Sequence, residues 1–273
     1  MGSLQKLRSI LRRLGTVVVA YSGGVDSAFL LKIASDTLGK NVLAVTAVSP
    51  TYPDSELAEA RKFAKAVGCR HVVIKTNEIA DNRFSRNSPD RCYFCKKELF
   101  VKLRSLARTY RLRYVVDASN VSDFRDYRPG RKAQVECGIR SPLQEAGFTK
   151  SAIRKVSKAW GLATWDKPAQ ACLASRIPYG VRIEKGILAN IAQAESFLKA
   201  QGFLHVRVRH YGSLCRIEVP ENDIARLVRK RALILKKVKT LGYTYITVDL
   251  EGYRTGSMNE VLAPTHYRAK FNA

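Results

Sequence analysis

No stretch of this sequence approaches the roughly 20 consecutive apolar residues that a helix needs to cross a bilayer, which excludes a helical membrane anchor. The basic opening, MGSLQKLRSILRRLG, lacks a long apolar segment and a small-residue cleavage site, so it does not read as a secretory signal. Leu4, Leu7, Ile10, Leu11 and Leu14 recur in it at helical spacing and predict an amphipathic helix in a cytoplasmic chain. Low-complexity tails and internal repeats are also missing, and proline is sparse, 9 residues in 273. What remains is an ordinary globular composition, 46% hydrophobic and 26% charged, long enough for one large domain or a large and a small one.

Acidic residues are few. Against 48 Lys and Arg there are 23 Asp and Glu, a net charge of +25 spread over the whole chain. Such a field attracts polyanions such as nucleotides, phosphates and RNA. Adaptation for solubility or heat explains it equally well, so charge alone assigns no partner.

The first two-thirds alternates short apolar runs with helical patterns. Strands are predicted at residues 16–22, 41–49, 71–76 and 113–117, and helices at 26–38, 54–67, 96–110 and 150–160, the last capped by Thr149. Apolar strands alternating with helices imply a doubly wound parallel sheet, an α/β fold covered on both faces. The rhythm changes near residue 180. A helix at 184–201, two alternating strands joined at Tyr211-Gly212-Ser213, a helix at 222–241 and a final strand predict a smaller α+β domain. The expected division is 1–180 and 181–273.

The most informative local feature is Ser22-Gly23-Gly24-Val25-Asp26-Ser27, directly after the first strand. Two glycines let backbone N–H groups approach an anion closely. The following helix aims its positive end at the same place. Ser22 and Ser27 add hydroxyls, and Asp26 can reach a magnesium ion. The loop is neither GxxxxGK[ST] nor GxGxxG. A plain glycine turn is the bland alternative, and the flanking serines, Asp26 and the place at a strand's carboxyl end favour phosphate binding over it. Asp117-Ala118-Ser119-Asn120 with Asp123 closes the fourth strand; on spacing alone, Asn120 and Asp123 are equally well read as loop caps.

SGGVDS resembles the PP-loop of the ATP pyrophosphatase superfamily, whose members adenylylate a substrate and release pyrophosphate. That resemblance implies a fold of HUP-like type and places Asn120 and Asp123 near the nucleotide. Cys92 and Cys95 stand three positions apart, just ahead of the helix predicted from residue 96. Helix N-termini and the neighbouring Arg91, Lys96 and Lys97 favour thiolates there. One CxxC is a weak signal by itself. Cys172, in Gln170-Ala171-Cys172-Leu173-Ala174-Ser175-Arg176, is a third candidate, and three cysteines without a fourth ligand suit a [4Fe-4S] cluster with one open iron. Cys69, Cys137 and Cys215 read as small buried hydrophobes.

The blocks WDKPAQACLASRIPYG, RPGRKA, RSPLQEAGFTK and DLEGYRTGSMNE resemble the LarE sulfur-transferase family over nearly the whole chain. This resemblance implies an ATP-dependent enzyme of nickel-pincer cofactor synthesis. It would adenylylate the carboxylates of pyridinium-3,5-biscarboxylic acid mononucleotide and convert them to thiocarboxylates. The family has a version in which the ACLASR cysteine surrenders its own sulfur, and a version in which that cysteine and a CxxC pair hold an iron–sulfur cluster. Cys92, Cys95 and Cys172 match the second. Arg207 and Arg209, two apart on one predicted strand face, match arginines that hold the substrate's phosphate, and Glu195 matches a glutamate near the site. Arg176, close to Cys172, suits a carboxylate or triphosphate. Without the resemblance, Arg207, Arg209, Arg176 and Glu195 read as surface or ion-paired residues. The expected partners are the nucleotide substrate, sulfide or another sulfur donor, and further copies of the chain. A PP-loop tRNA thiolase is the rival, with RNA as the polyanion; the absence of extra zinc-ribbon cysteines speaks against it.

Overall fold

The computed structural model describes residues 2–52, 54–125, 129–168, 171–254 and 256–262. Arg128, Ala169, Gln170 and Thr255, each part of a motif block above, lie outside the described residues. The chain divides into two compact units, Met1–Gln170 and Ala171–Ala273, so the segment carrying Cys172 belongs to the second.

In the first unit, helix α1 (Ser3–Leu14) leads into β1 (Val17–Ala20), α2 (Val25–Leu38), β2 (Val42–Val48), α3 (Asp54–Ala66) and β3 (Arg70–Lys75). The short α4 (Asn82–Ser85), the long α5 (Arg91–Thr109), β4 (Tyr114–Val116), α6 (Gly130–Glu136), α7 (Pro142–Glu145) and α8 (Lys150–Ala159) follow. The sheet order is β3-β2-β1-β4, all parallel, with Val18 opposite both Leu43 and Val115.

Side chains alternate across a strand, and the sheet sorts them into two cores. Val17, Val19, Val42 and Ala44 pack with Leu7, Leu11, Phe29 and Leu30 on one face. Val18, Leu43 and Val45 pack with Phe100, Leu103 and Ala107 on the other. That is the doubly wound α/β arrangement, and it explains the uninterrupted apolar runs of β1 and β2. The amphipathic α1 closes the first face with Leu7, Ile10, Leu11 and Leu14, all buried. Because β2 and β3 lie on one side of β1 and β4 on the other, the chain reverses direction between β1 and β4. Ligands of open parallel sheets bind at that reversal, beyond the carboxyl ends of the strands.

Two expectations need correction. The helix predicted from residue 96 begins at Arg91, so Cys92 and Cys95 lie within its first turns rather than ahead of it. The turn around Asn87, whose φ of 57° is left-handed, sets that earlier start: Arg91 N donates to the Ser88 carbonyl, and the Arg91 guanidinium reaches the Asn87 side chain at 2.5 Å. The helix expected at 222–241 breaks at Lys230 into α10 (Glu221–Arg229) and α11 (Arg231–Lys239), following α9 (Lys185–Ala200). Lys230, at φ −88° and ψ 11°, turns out of helical geometry, although no glycine or proline announces the break.

In the second unit β5 (Arg207–Tyr211) and β6 (Leu214–Glu218) form an antiparallel hairpin, and β7 (Tyr245–Val248) joins β6 in parallel. Leu188, Ile191, Ala194, Glu195 and Leu198 form the buried face of α9. Among the described residues, no helix is long and apolar enough to cross a membrane.

Candidate functional site

The loop after β1 is shaped by its glycines. Gly23 sits at φ +75°, a left-handed conformation that costs a residue with a Cβ about 1–2 kcal/mol, and a Cβ there would also meet Ala60 Cβ at 3.2 Å. Gly24 is extended and forms the N-cap position of α2. Ser27, 4% exposed, knits the loop from inside: its hydroxyl donates to the Gly24 carbonyl at 3.1 Å, accepts from Ser22 N at 3.3 Å, and lies 3.1 Å from Ser22 Oγ.

Asp26 stands on the first turn of α2, facing the β4 side. Its Oδ2 receives Lys150 Nζ at 2.6 Å and Asn120 Nδ2 at 3.4 Å. Its Oδ1 is buried without a partner among the described residues. Burial raises the Asp26 pKa above the ordinary carboxylate value, and the Lys150 ammonium only partly offsets it. Thr149 caps α8, accepting from Ala152 N at 3.2 Å, and so fixes where Lys150 leaves the helix. Asn120, 1% exposed, comes from the loop after β4. Asp123 Oδ2 accepts from Asn120 N at 2.9 Å, and the Asn120 side chain accepts from Ser122 N at 2.9 Å. Asp123 thus acts as a loop cap, while Asn120 also reaches Asp26. Beneath them the buried Asp117 accepts from Ser119 Oγ at 2.8 Å, Ser141 Oγ at 2.6 Å and Gln134 Nε2 at 3.3 Å, which holds the loop still.

Three residues at this site escaped sequence reasoning as individuals. Lys150 touches Asp26, Tyr52 Oη donates to the Ser22 carbonyl at 3.1 Å, and Lys167 Nζ donates to the Gly23 carbonyl at 3.3 Å. Both lysines lie inside the blocks RSPLQEAGFTK and WDKPAQ, which is the signal that points to them.

On the exposed side of α5, Cys92 is exposed and Cys95 half-buried, one helical turn apart. Lys97 donates to Glu136 at 2.9 Å and to Tyr93 Oη at 2.8 Å. Among the described residues no three His, Cys, Asp or Glu side chains are grouped closely enough to hold a metal ion.

In the second unit Cys172 is exposed. Leu173, Ala174 and Arg176, which follow it, are buried. Arg176, 1% exposed, forks onto Glu195 through Nε at 2.9 Å and Nη2 at 3.1 Å. Its Nη1 donates to the carbonyls of Ala171 at 2.7 Å and Cys172 at 3.1 Å and to Ser175 Oγ at 3.0 Å. Glu195 also accepts from Val208 N at 3.1 Å. Burial alone would raise its pKa, but the Arg176 guanidinium outweighs that and holds it below the usual value. Arg209 forks onto the fully buried Glu218 at 2.9 and 2.5 Å and donates to the Ser175 carbonyl at 3.2 Å and to Ser257 Oγ at 3.1 Å. Arg207 packs its guanidinium 5.2 Å from the centre of the Tyr253 ring. Burial and the like charge of Arg176 depress its pKa, with Glu195 opposing them. The β5 face carrying Arg207 and Arg209 is therefore buried, not solvated.

Comparison with known proteins agrees with this geometry. Residues 5–115 match the NAD synthase family model. The chain is 43% identical to an uncharacterized protein of Synechocystis sp. over 95% of its own length and 97% of that protein's. It is 37% identical to the pyridinium-3,5-bisthiocarboxylic acid mononucleotide synthase of Lactiplantibacillus plantarum, over 94% of this chain and 93% of the synthase. An uncharacterized protein of Methanocaldococcus jannaschii shares 31% identity over 88% of this chain and 91% of its own. A glycine loop at the β1/β4 reversal, the acid in the first turn of α2 and 37% identity to that synthase over nearly the full length all lead to one assignment: the chain belongs to the LarE family of ATP-dependent PP-loop sulfur transferases.

Proposed function

We propose that this enzyme converts the carboxylates of pyridinium-3,5-biscarboxylic acid mononucleotide to thiocarboxylates in the cytoplasm, consuming ATP for each. The observation that carries this reading is the buried, unpartnered Oδ1 of Asp26 at the sheet's reversal point, beside Lys150 and Asn120. A carboxylate is a poor electrophile, and its hydroxide a poor leaving group. Attack of the substrate carboxylate on the α-phosphate of ATP breaks the bond to pyrophosphate and leaves an acyl-adenylate. Hydrosulfide then attacks the acyl carbon, AMP departs with the carbon–oxygen bonding pair, and a proton is released.

The chain's own groups have definite parts in this reading. The N–H groups of residues 23–26 and the N-terminus of α2 hold the phosphates. Magnesium fits the orphaned Asp26 oxygen, where it would neutralise triphosphate charge. Lys150, beside Asp26, would stabilise the departing pyrophosphate. Asn120 orients Asp26, and Asp123 holds the loop that carries Asn120. Arg207 and Arg209 are assigned to the substrate phosphate. Arg207 lies buried between the charges of Arg176 and Glu195, and Arg209 forks onto Glu218. Glu195 and Arg176 keep the Cys172 segment in place beside them.

For the sulfur carrier, the reading is an iron–sulfur centre on Cys92 and Cys95 of one helix and Cys172 of an exposed turn; thiol chemistry and the exposure of Cys92 and Cys172 support it, although the described residues are not grouped as a metal site. Held by these three thiolates, a [4Fe-4S] cluster would keep one iron open to exchangeable sulfide. Sacrificial donation by Cys172 is the second reading, favoured by its exposure. The two readings separate in anaerobically reconstituted protein. Cluster carriage predicts bound iron that Cys92→Ser, Cys95→Ser and Cys172→Ser each abolish, and repeated turnover with sulfide. Iron-free protein that stops after one transfer, its mass lower by one hydrogen sulfide, refutes it. The second unit is proposed to bind substrate and to mediate assembly of several copies. The tRNA thiolase alternative predicts thiolation of RNA instead of the mononucleotide.

A further inference from the structure

The backbone carbonyls of the phosphate loop are tied down one after another. Thr46 Oγ1 donates to the Tyr21 carbonyl at 2.7 Å, Tyr52 Oη to Ser22 at 3.1 Å, Lys167 Nζ to Gly23 at 3.3 Å and Ser27 Oγ to Gly24 at 3.1 Å. In a planar trans peptide the C=O of one residue and the N–H of the next point in opposite directions. Each held carbonyl therefore turns the N–H of the next residue away from its own partner: Gly23 from Tyr52, Gly24 from Lys167 and Val25 from Ser27. The Gly24 N–H is thereby turned away from Lys167, at the N-terminal end of α2.

Three of these four donors come from hydroxyls, and Lys167 is the exception. Its ammonium has three N–H bonds and three acceptors: Gly23 O, Glu56 Oε2 at 2.5 Å and Glu59 Oε2 at 2.7 Å. Its side chain is 11% exposed and that of Glu56 9%, so the Glu56 pair is formed away from solvent. Burial would lower the Lys167 pKa, but the hydrogen bonds to Glu56 and Glu59 outweigh it and raise it. The two carboxylates also cancel the charge that Lys167 would otherwise offer a phosphate. A lysine placed to bind triphosphate by charge would not be neutralised twice over. A lysine that fixes a peptide plane loses nothing by it.

We propose that Lys167 is a positioning residue, which orients the Gly23–Gly24 peptide so that its N–H faces the phosphates, with Glu56 and Glu59 aiming the ammonium. The proposal rests on the nucleotide reading above and adds to it a role for the WDKPAQ block. It is tested in the full-length enzyme by steady-state pyrophosphate release against magnesium-ATP, with inorganic pyrophosphate as product inhibitor. Lys167→Met should raise both the KM for ATP and the inhibition constant of pyrophosphate about tenfold, with kcat changed by less than about threefold, and Lys167→Arg should restore both constants to within about threefold of wild type. If Lys167→Met does not fold, Lys167→Met/Glu56→Gln removes the stranded carboxylate and is read in its place. Wild-type enzyme that releases no pyrophosphate overturns the nucleotide reading and this proposal together. With active wild type, either unchanged constants in Lys167→Met or a fall in kcat at constant KM overturns the positioning role alone.

Discussion

Replacing Arg176 by methionine separates the stability of the second unit from the order of the Cys172 segment. Among the described residues, the substitution leaves Glu195, 5% exposed, with the Val208 N–H as its hydrogen-bond donor and the Arg207 charge as neighbour. Breaking a buried pair from one side costs about 3–5 kcal/mol. The Arg207 charge argues for the lower end, about 3 kcal/mol, which in a domain of roughly 100 residues is a fall in Tm of about 12 °C or more. Glu195→Gln added to Arg176→Met keeps an acceptor for Val208 N and deletes the stranded charge, so the double variant should recover about 1.5 kcal/mol or more of that loss. Thermal and urea unfolding of the wild type, both single variants and the double give the coupling directly. The double variant should nevertheless stay defective in sulfur transfer, since nothing replaces the bonds to the Ala171 and Cys172 carbonyls. Additive losses, or an Arg176→Met loss below about 1 kcal/mol, would refute the reasoning.

Asp26 must be ionised to receive a cation, and its pKa is raised, chiefly by burial. The acid limb of the pH profile for pyrophosphate release should therefore lie above the ordinary carboxylate range, and Lys150→Met should move it further up by removing the charge that favours ionisation; a limb that stays put excludes Asp26 as its source. For stability the sign is opposite to that of a salt-bridged acid: Asp26 contributes at low pH, and the contribution is lost as pH rises through its folded pKa. Gly23→Ala should cost about 1–2 kcal/mol from its left-handed φ and more from Ala60 Cβ 3.2 Å away, whereas Gly24→Ala, extended and meeting only Ser22 Oγ at 3.5 Å, should unfold like wild type. Equal losses at the two glycines in urea unfolding would contradict the loop geometry.

The parallel sheet and its central loop were legible because their signals are local. Val17 to Ala20 is an apolar run, and glycines and an acid follow it at the start of a helix. The pairing that governs the second unit was not legible. Arg207 stands opposite Glu218 across the hairpin, and Arg209 reaches that same glutamate diagonally; only the β5–β6 register reveals it. Arg207 and Arg209 therefore looked like a solvated face. Lys167 contacts Glu59 over 108 positions of sequence and Lys150 contacts Asp26 over 124, distances at which no periodicity speaks. The break at Lys230 was missed because both halves, α10 and α11, carry ordinary helix-forming residues up to it.

The grip on Cys172 is made through main-chain carbonyls. Arg176 takes hold of the peptide on either side of the Cys172 Cα, and no contact of the thiol is needed to keep that turn in shape. Serine or alanine at position 172 is thus expected to leave the turn's frame in place. Were Cys172 the sulfur-bearing residue proposed above, its thiol could be capped or exchanged without unravelling its surroundings.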